Sequence, residues 1–176
     1  TILLAGVGAA ALLRCWRRRW MRRLVAGLLM AGTVHLGWQA WRADSAYCAS
    51  PSNPYVYAQT SPDLLNLIDR IQALARVSPE GRRMTIKVMA ADGDYWPLPW
   101  YLREFNRVGW WNRIPPDPFA PVMIVSAKFN AAFDDRPVRT HLMAGYFQLR
   151  PRVFLELYVA VDLWRAYVQT LPRRED

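Results

Sequence analysis

This 176-residue chain has few of the residues that usually mark an enzyme: only two cysteines and two histidines. Two cysteines make neither a disulfide framework nor a cysteine-based zinc site. There is no HExxH, no GxSxG and no P-loop. His35 and His141 lie too far apart in the chain to argue a Ser–His–Asp set. Internal repeats, low-complexity tracts and Gly-rich loops are also absent. Acidic charge is missing from one end. The net charge is +9, yet residues 1–50 hold seven basic groups against one acidic, and the remainder sixteen against thirteen. The larger part has no dense basic patch, so no nucleic-acid footprint is expected.

What the first forty-one residues do have is apolar length. Ile2 to Leu13 and Leu24 to Trp41 flank the block RCWRRRWMRR, residues 14–23. His35 is the only ionisable residue within the two runs. A spanning helix needs about 20 mostly apolar residues, with a range of about 17 to 25. Leu24 to Trp41 meets that length and ends on Trp38 and Trp41, residues suited to the interface. The first run is too short to span and is expected to be the end of a longer, truncated helix. Short Arg-rich loops stay in the cytoplasm and meet anionic lipid. The chain beyond Trp41 is therefore expected outside the cytoplasm of a multi-pass membrane protein. Cys15 and Cys48 then lie on opposite sides and cannot pair.

The expected organisation is a transmembrane hairpin over 1–41, a linker over 42–54, an α/β domain over 55–171 and a tail over 172–176. YVYAQ, residues 55–59, reads as a strand. Ser61 suits a helix cap and Pro62 a first helical position. Leu64, Leu67, Ile68, Ile71, Leu74 and Ala75 recur at helical spacing, predicting a helix over 62–76. MTIKVMA (84–90) predicts a strand, followed by a turn and a helix over about 100–107, with Pro97 and Pro99 at its start. VGWW (108–111) suits a short strand, and VMIVSA (122–127) a strand buried on both faces. A strand around HLMAGYFQL (141–149) precedes an amphipathic helix over 152–171, read from the stripe Val153, Leu157, Ala160, Val161, Trp164 and Val168. Strand–helix alternation of this kind predicts a mostly parallel sheet.

The richest stretch for chemistry is ADGDYWPLPWYLREF, residues 91–105. Ligands of open α/β sheets bind outside the carboxyl ends of strands, and this turn leaves such an end. Asp92 and Asp94 can accept hydrogen bonds from sugar hydroxyls, and Tyr95, Trp96 and Trp100 can stack on a sugar face. Turn chemistry and helix capping explain the same residue types. Ser61 and Asp63 of the TSPD turn are expected at the same edge, together with Ser126 and Lys128, while Asp134 and Asp135 read as a solvated turn. No catalytic residue, metal site or cofactor is expected.

NPYVYAQTSPDLLNLIDRI, DGDYWPLPWYLR, VGWW, APVMIVS and LRPRVFLELYV together resemble the C-terminal portion of the flippase-activity-associated membrane proteins. That family is related to the dolichyl-phosphate-mannose–protein mannosyltransferases of the GT-C class. The resemblance runs from about Leu24 to Val168. It implies a C-terminal accessory domain of a glycosyltransferase that takes sugar from a polyprenyl-phosphate donor. Its partners would be the bilayer, lipid-linked sugar and an upstream transmembrane core of the same protein. The family's catalytic carboxylate lies in an N-terminal outer loop that these residues do not include. Two other readings stay open: a non-catalytic membrane-tethered binding or assembly module in cell-envelope glycan metabolism, and a small hydrolase using Asp92 and Asp94.

Overall fold

The computed structural model describes residues 2–15, 18–50, 52–54, 59–135 and 137–172. The chain divides into two compact units, residues 1–48 and 49–176.

The first unit is two contacting helices, α1 (Ile2–Cys15) and α2 (Arg19–Ser45). Ala9 and Leu13 of α1, and Met21, Val25 and Leu29 of α2, are half-buried at four-residue spacing. Other large apolar side chains, among them Leu28, Met30, Val34, Leu36 and Trp41, are exposed. Among the described residues, no helix is both long and apolar enough to cross a membrane. This corrects the reading of Leu24 to Trp41 as a self-sufficient span. The helix has the length, but Thr33, His35, Gln39 and three glycines dilute its apolar character. Those polar groups are satisfied within the helix. Thr33 Oγ1 donates to the Leu29 carbonyl at 2.9 Å, and His35 Nε2 lies 3.0 Å from Gln39 Nε2. The helix also runs to Ser45, into the stretch expected to be linker.

The second unit is an α/β domain: α3 (Asp63–Val77), β1 (Ile86–Met89), α4 (Leu98–Tyr101), β2 (Val108–Trp111), β3 (Val122–Ser126), β4 (His141–Arg150), β5 (Val153–Ala160) and α5 (Val161–Gln169). The strand expected over 55–59 falls on residues 55–58, outside the described residues; Gln59 is not in a strand. Helix α3 buries the whole predicted stripe, from Leu64 to Ala75. The helix expected over 100–107 is a single turn beginning two residues earlier, anchored by buried Leu98. Leu102 and Phe105 follow it into the core.

The sheet order is β2-β1-β3-β5-β4. Strands β2, β1 and β3 are parallel, whereas β5 runs antiparallel to both β3 and β4. The sheet is thus mixed rather than mostly parallel. The difference arises at residues 153–160, which form a strand where a helix was expected. Arg150 pairs with Val153, so only Pro151 and Arg152 join β4 to β5. Two residues close an antiparallel hairpin but cannot carry a parallel crossover. Within β5, Leu155, Leu157 and Val159 alternate with Phe154, Glu156 and Tyr158. That period of two competes with the helical stripe, and burial on both faces decides for it.

The two faces carry separate cores. Ile86, Val88, Val122, Ile124, Leu155, Leu157 and Val159 meet α3, α4 and α5 on one face. Met89, Met123, Val125 and Tyr158 meet Ala120 and Phe133 on the other, which loops cover instead of helices. Both edge strands contain a glycine roofed by an aromatic ring two residues on: Gly109 under Trp111, and Gly145 under Phe147. A ring over a strand glycine restores the packing its missing side chain forfeits.

Candidate functional site

The carboxyl ends of β1 and β3 define one edge of the sheet. Register places the end of β4 and the start of β5 at the same edge, since Ser126 pairs with Leu155 and Leu155 with Phe147. The helical direction of α3 brings its first turn there too. Three of the residues singled out in the sequence, Asp94, Ser61 and Asp63, converge around the last residues of β4.

Chain after β1 turns sharply through Ala91–Gly93, with Asp92 at φ +59. Asp and Asn tolerate this left-handed conformation better than most residues. Asp92 projects into solvent and pairs with Lys128 at 3.6 Å. Lys128 follows β3 in the turn that Ser126 closes with its hydroxyl, which accepts from the Lys128 N–H at 3.4 Å. Asp94 is more enclosed: its carboxylate pairs with the Arg150 guanidinium, with 23% and 27% of the two side chains exposed. This pair joins the turn after β1 to the last residue of β4. Arg152, at the hairpin tip, also lies at this edge and holds φ +66.

The aromatics separate into two roles. Tyr95 is half-buried, its ring 4.8 Å from that of Trp110 and packed on the helix-side core. Trp96 and Trp100 face outward, 55% and 62% exposed. The Arg103 guanidinium lies 4.5 Å over the Trp100 ring and donates to the Trp100 carbonyl at 2.7 Å. That contact orients one face of the indole and leaves a large aromatic surface open.

Ser61 and Asp63 reach the same edge but are engaged by the protein itself. Ser61 is buried, its hydroxyl accepts from the Asp63 N–H at 3.2 Å, and its own N–H donates to the Leu149 carbonyl at 2.9 Å. Asp63 accepts from the Gln148 N–H at 2.8 Å and from the Asn66 amide at 2.9 Å. These bonds fasten the helix to β4 beside Arg150, so both residues position the site rather than face it. Arg150 and Arg103 are the residues that sequence reasoning did not single out. Their signals were present in the RPR turn and in the run WYLR, but Arg150 joins the site only through the hairpin.

Elsewhere, His141 is buried at the opposite end of β4. Its Nε2 lies 3.0 Å from the Ala120 carbonyl and its Nδ1 3.0 Å from Thr140 Oγ1. Tyr158 donates to Glu156 at 2.9 Å. Burial first, and that hydrogen bond second, push its hydroxyl well above the ordinary tyrosine value. Among the described residues, no group of three or more His, Cys, Asp or Glu could hold a metal ion.

Comparison with protein-family models, with curated proteins and with solved structures finds no match to this chain. The edge combines carboxylates already paired with cations, a half-buried Tyr95 and two open indoles. Among the described residues, no nucleophilic side chain pairs with a base there. The chemistry on offer is recognition: hydrogen bonds from charged edge groups, and stacking on flat apolar surface.

Proposed function

We propose that the chain is the membrane-anchored, extracytoplasmic accessory part of a glycosyltransferase of the GT-C kind, and that its sheet edge binds a polyprenyl-phosphate-linked sugar. The reading is carried by Trp96 and Trp100, which stand exposed in the segment that follows Asp92 and Asp94, the partners of Lys128 and Arg150. A sugar ring offers an apolar face for an indole and a rim of hydroxyls for a carboxylate–guanidinium pair. An arginine beside them suits the phosphate of the donor. Catalysis would come from elsewhere in the enzyme, and this edge would hold donor or acceptor near it.

The anchor in this reading is α1 with α2. Exposed apolar side chains on both, and arginines at their junction, support burial in a bilayer with that junction on the cytoplasmic side. Since α2 alone is not apolar enough to span, we place it among other helices, where Thr33, His35 and Gln39 would face protein instead of lipid.

Two measurements on the full chain test this. Membrane-impermeant thiol labelling in intact cells should reach Cys48 and spare Cys15; the opposite pattern rejects the topology. A polyprenyl-phosphate hexose in non-ionic detergent should bind about tenfold more weakly to Trp100→Ala and to Arg150→Gln. Unchanged affinity in both variants rejects the sugar-binding edge.

One observation favours the alternative of a membrane-tethered assembly module. Tyr146 is exposed and stacks on Phe154 at 5.2 Å, on the sheet face away from the helices. Exposed aromatics are over-represented at protein interfaces. Under that reading Tyr146→Ala, and not Trp100→Ala, abolishes association with the partner.

A further inference from the structure

At the end of the sheet away from Asp94, where β4 begins, lies an open cleft of about 530 Å³. Its lining includes Asp134 and Asp135 from the preceding loop, Arg139, buried His141 from β4, and Arg165 from α5. That volume is within the usual range of roughly 300 to 1,000 Å³ for small-molecule sites. Its lining is unusual in charge. Two carboxylates and two guanidiniums share one cleft, yet among the described residues neither aspartate lies within ion-pair distance of either arginine. Arg165 does pair with Asp162, at 3.6 Å, with 72% and 97% of the two side chains exposed, and so exposed a pair is weak enough to leave the guanidinium available. Arg139 has no carboxylate partner among the described residues.

Carboxylates and guanidiniums that line one cleft without pairing with each other can complement a molecule that carries both signs. His141 does not compete for that role, because both its ring nitrogens already have partners in Ala120 and Thr140. It forms part of the wall. Met143 and Val161 add apolar lining that can accept a short hydrocarbon substituent.

We propose that this cleft binds a small zwitterion, with its ammonium group toward Asp134 and Asp135 and its carboxylate or phosphate toward Arg139 and Arg165. Two sources supply that chemistry, a free apolar amino acid and an ethanolamine phosphate headgroup. The site is independent of the sugar-binding edge, since the two lie at opposite ends of β4.

The test is calorimetry on the full chain in a polyoxyethylene detergent, which carries no charge and no sugar. The probes are leucine, phosphoethanolamine, N-acetylleucine, which lacks the ammonium, and leucinamide, which lacks the carboxylate. Leucine, phosphoethanolamine or both should bind, and which one binds identifies the source. Each singly charged analogue should bind at least about tenfold more weakly than leucine if leucine is the ligand. Arg139→Gln and Asp135→Asn should each weaken zwitterion binding by about the same factor. Both positions are exposed, so unfolding temperatures should stay unchanged, and Trp100→Ala should leave the binding intact. The proposal fails if neither zwitterion binds at millimolar concentration. Where leucine binds, it fails equally if N-acetylleucine or leucinamide matches it, and in either case it fails if neither charge variant alters zwitterion affinity.

Discussion

Asp94 and Arg150 form an ion pair that ties the turn leaving β1 to the far edge strand β4, across the ends of the intervening strands β3 and β5. Exposed pairs contribute about 0 to 1 kcal/mol, and breaking buried ones costs about 3 to 5 kcal/mol. This pair is about a quarter exposed. Asp94→Asn should therefore cost about 1 to 2 kcal/mol. Urea unfolding of Asp94→Asn, Arg150→Gln and the double variant measures it. A double variant no worse than either single one is the expected pattern, and simple additivity would show that the pair is not coupled.

Trp96 and Trp100 should behave as surface residues. Truncating either to alanine should change stability by no more than about 0.5 to 1 kcal/mol, because little buried area is lost. A core tryptophan would cost about 3 to 5 kcal/mol. Thermal unfolding of each variant distinguishes the two values, and the larger one would mean that the rings pack inward in solution.

Gly109 has no room for a side chain, because the Trp111 ring occupies the space its Cβ would fill. The Lys87 ammonium holds that ring from above at 5.7 Å, while bonding the Asp117 carbonyl at 2.6 Å. Gly109→Ala should displace the indole and cost about 1 to 3 kcal/mol, as overpacking usually does. Pairing it with Trp111→Ala should recover much of the loss of the glycine substitution. Urea unfolding of the two single variants and the double one checks this.

Stability should fall in alkali through Tyr158. Its hydroxyl ionises less readily in the fold than in the unfolded chain, because it is buried and donates to Glu156. The contribution is complete below pH 10.0, the ordinary tyrosine value, and is lost as the pH climbs from there toward the raised folded value. Melting temperatures of the native chain and Tyr158→Phe, measured from pH 8 to 11, should diverge in slope above about pH 10. Parallel curves would remove Tyr158 as the cause.

Much of this domain was legible because its signals are local. The α3 stripe, Leu64 to Ala75, has one period and one possible partner surface. The run VMIVS is apolar throughout, and β3 is buried along its whole length. The hairpin was not legible, since Val153 to Ala160 satisfies a helical stripe and a strand alternation at once. Pairing with β3 and β4 decides between them, and such pairing is a non-local property. The site shows the same division. Asp94 stands out in DGDYW, but its partner Arg150 is 56 positions away, at the end of the strand that precedes the misread segment. Ser61 and Asp63 do lie at this edge, but the strand expected to deliver them falls outside the described residues, and the backbone groups they bind could not be seen without β4.

Those backbone groups have a consequence for the molecule's behaviour in a crowded solution. An edge strand is an open template, and β4 is ten residues long. A foreign strand approaching its last residues would need the Gln148 N–H and the Leu149 carbonyl. Asp63 and the Ser61 N–H already hold both. The first turn of α3 thus acts as a stopper against sheet-to-sheet aggregation. Asp63→Ala should show itself less in ligand affinity than in light scattering on heating, where the variant is expected to aggregate below the temperature at which the native chain does.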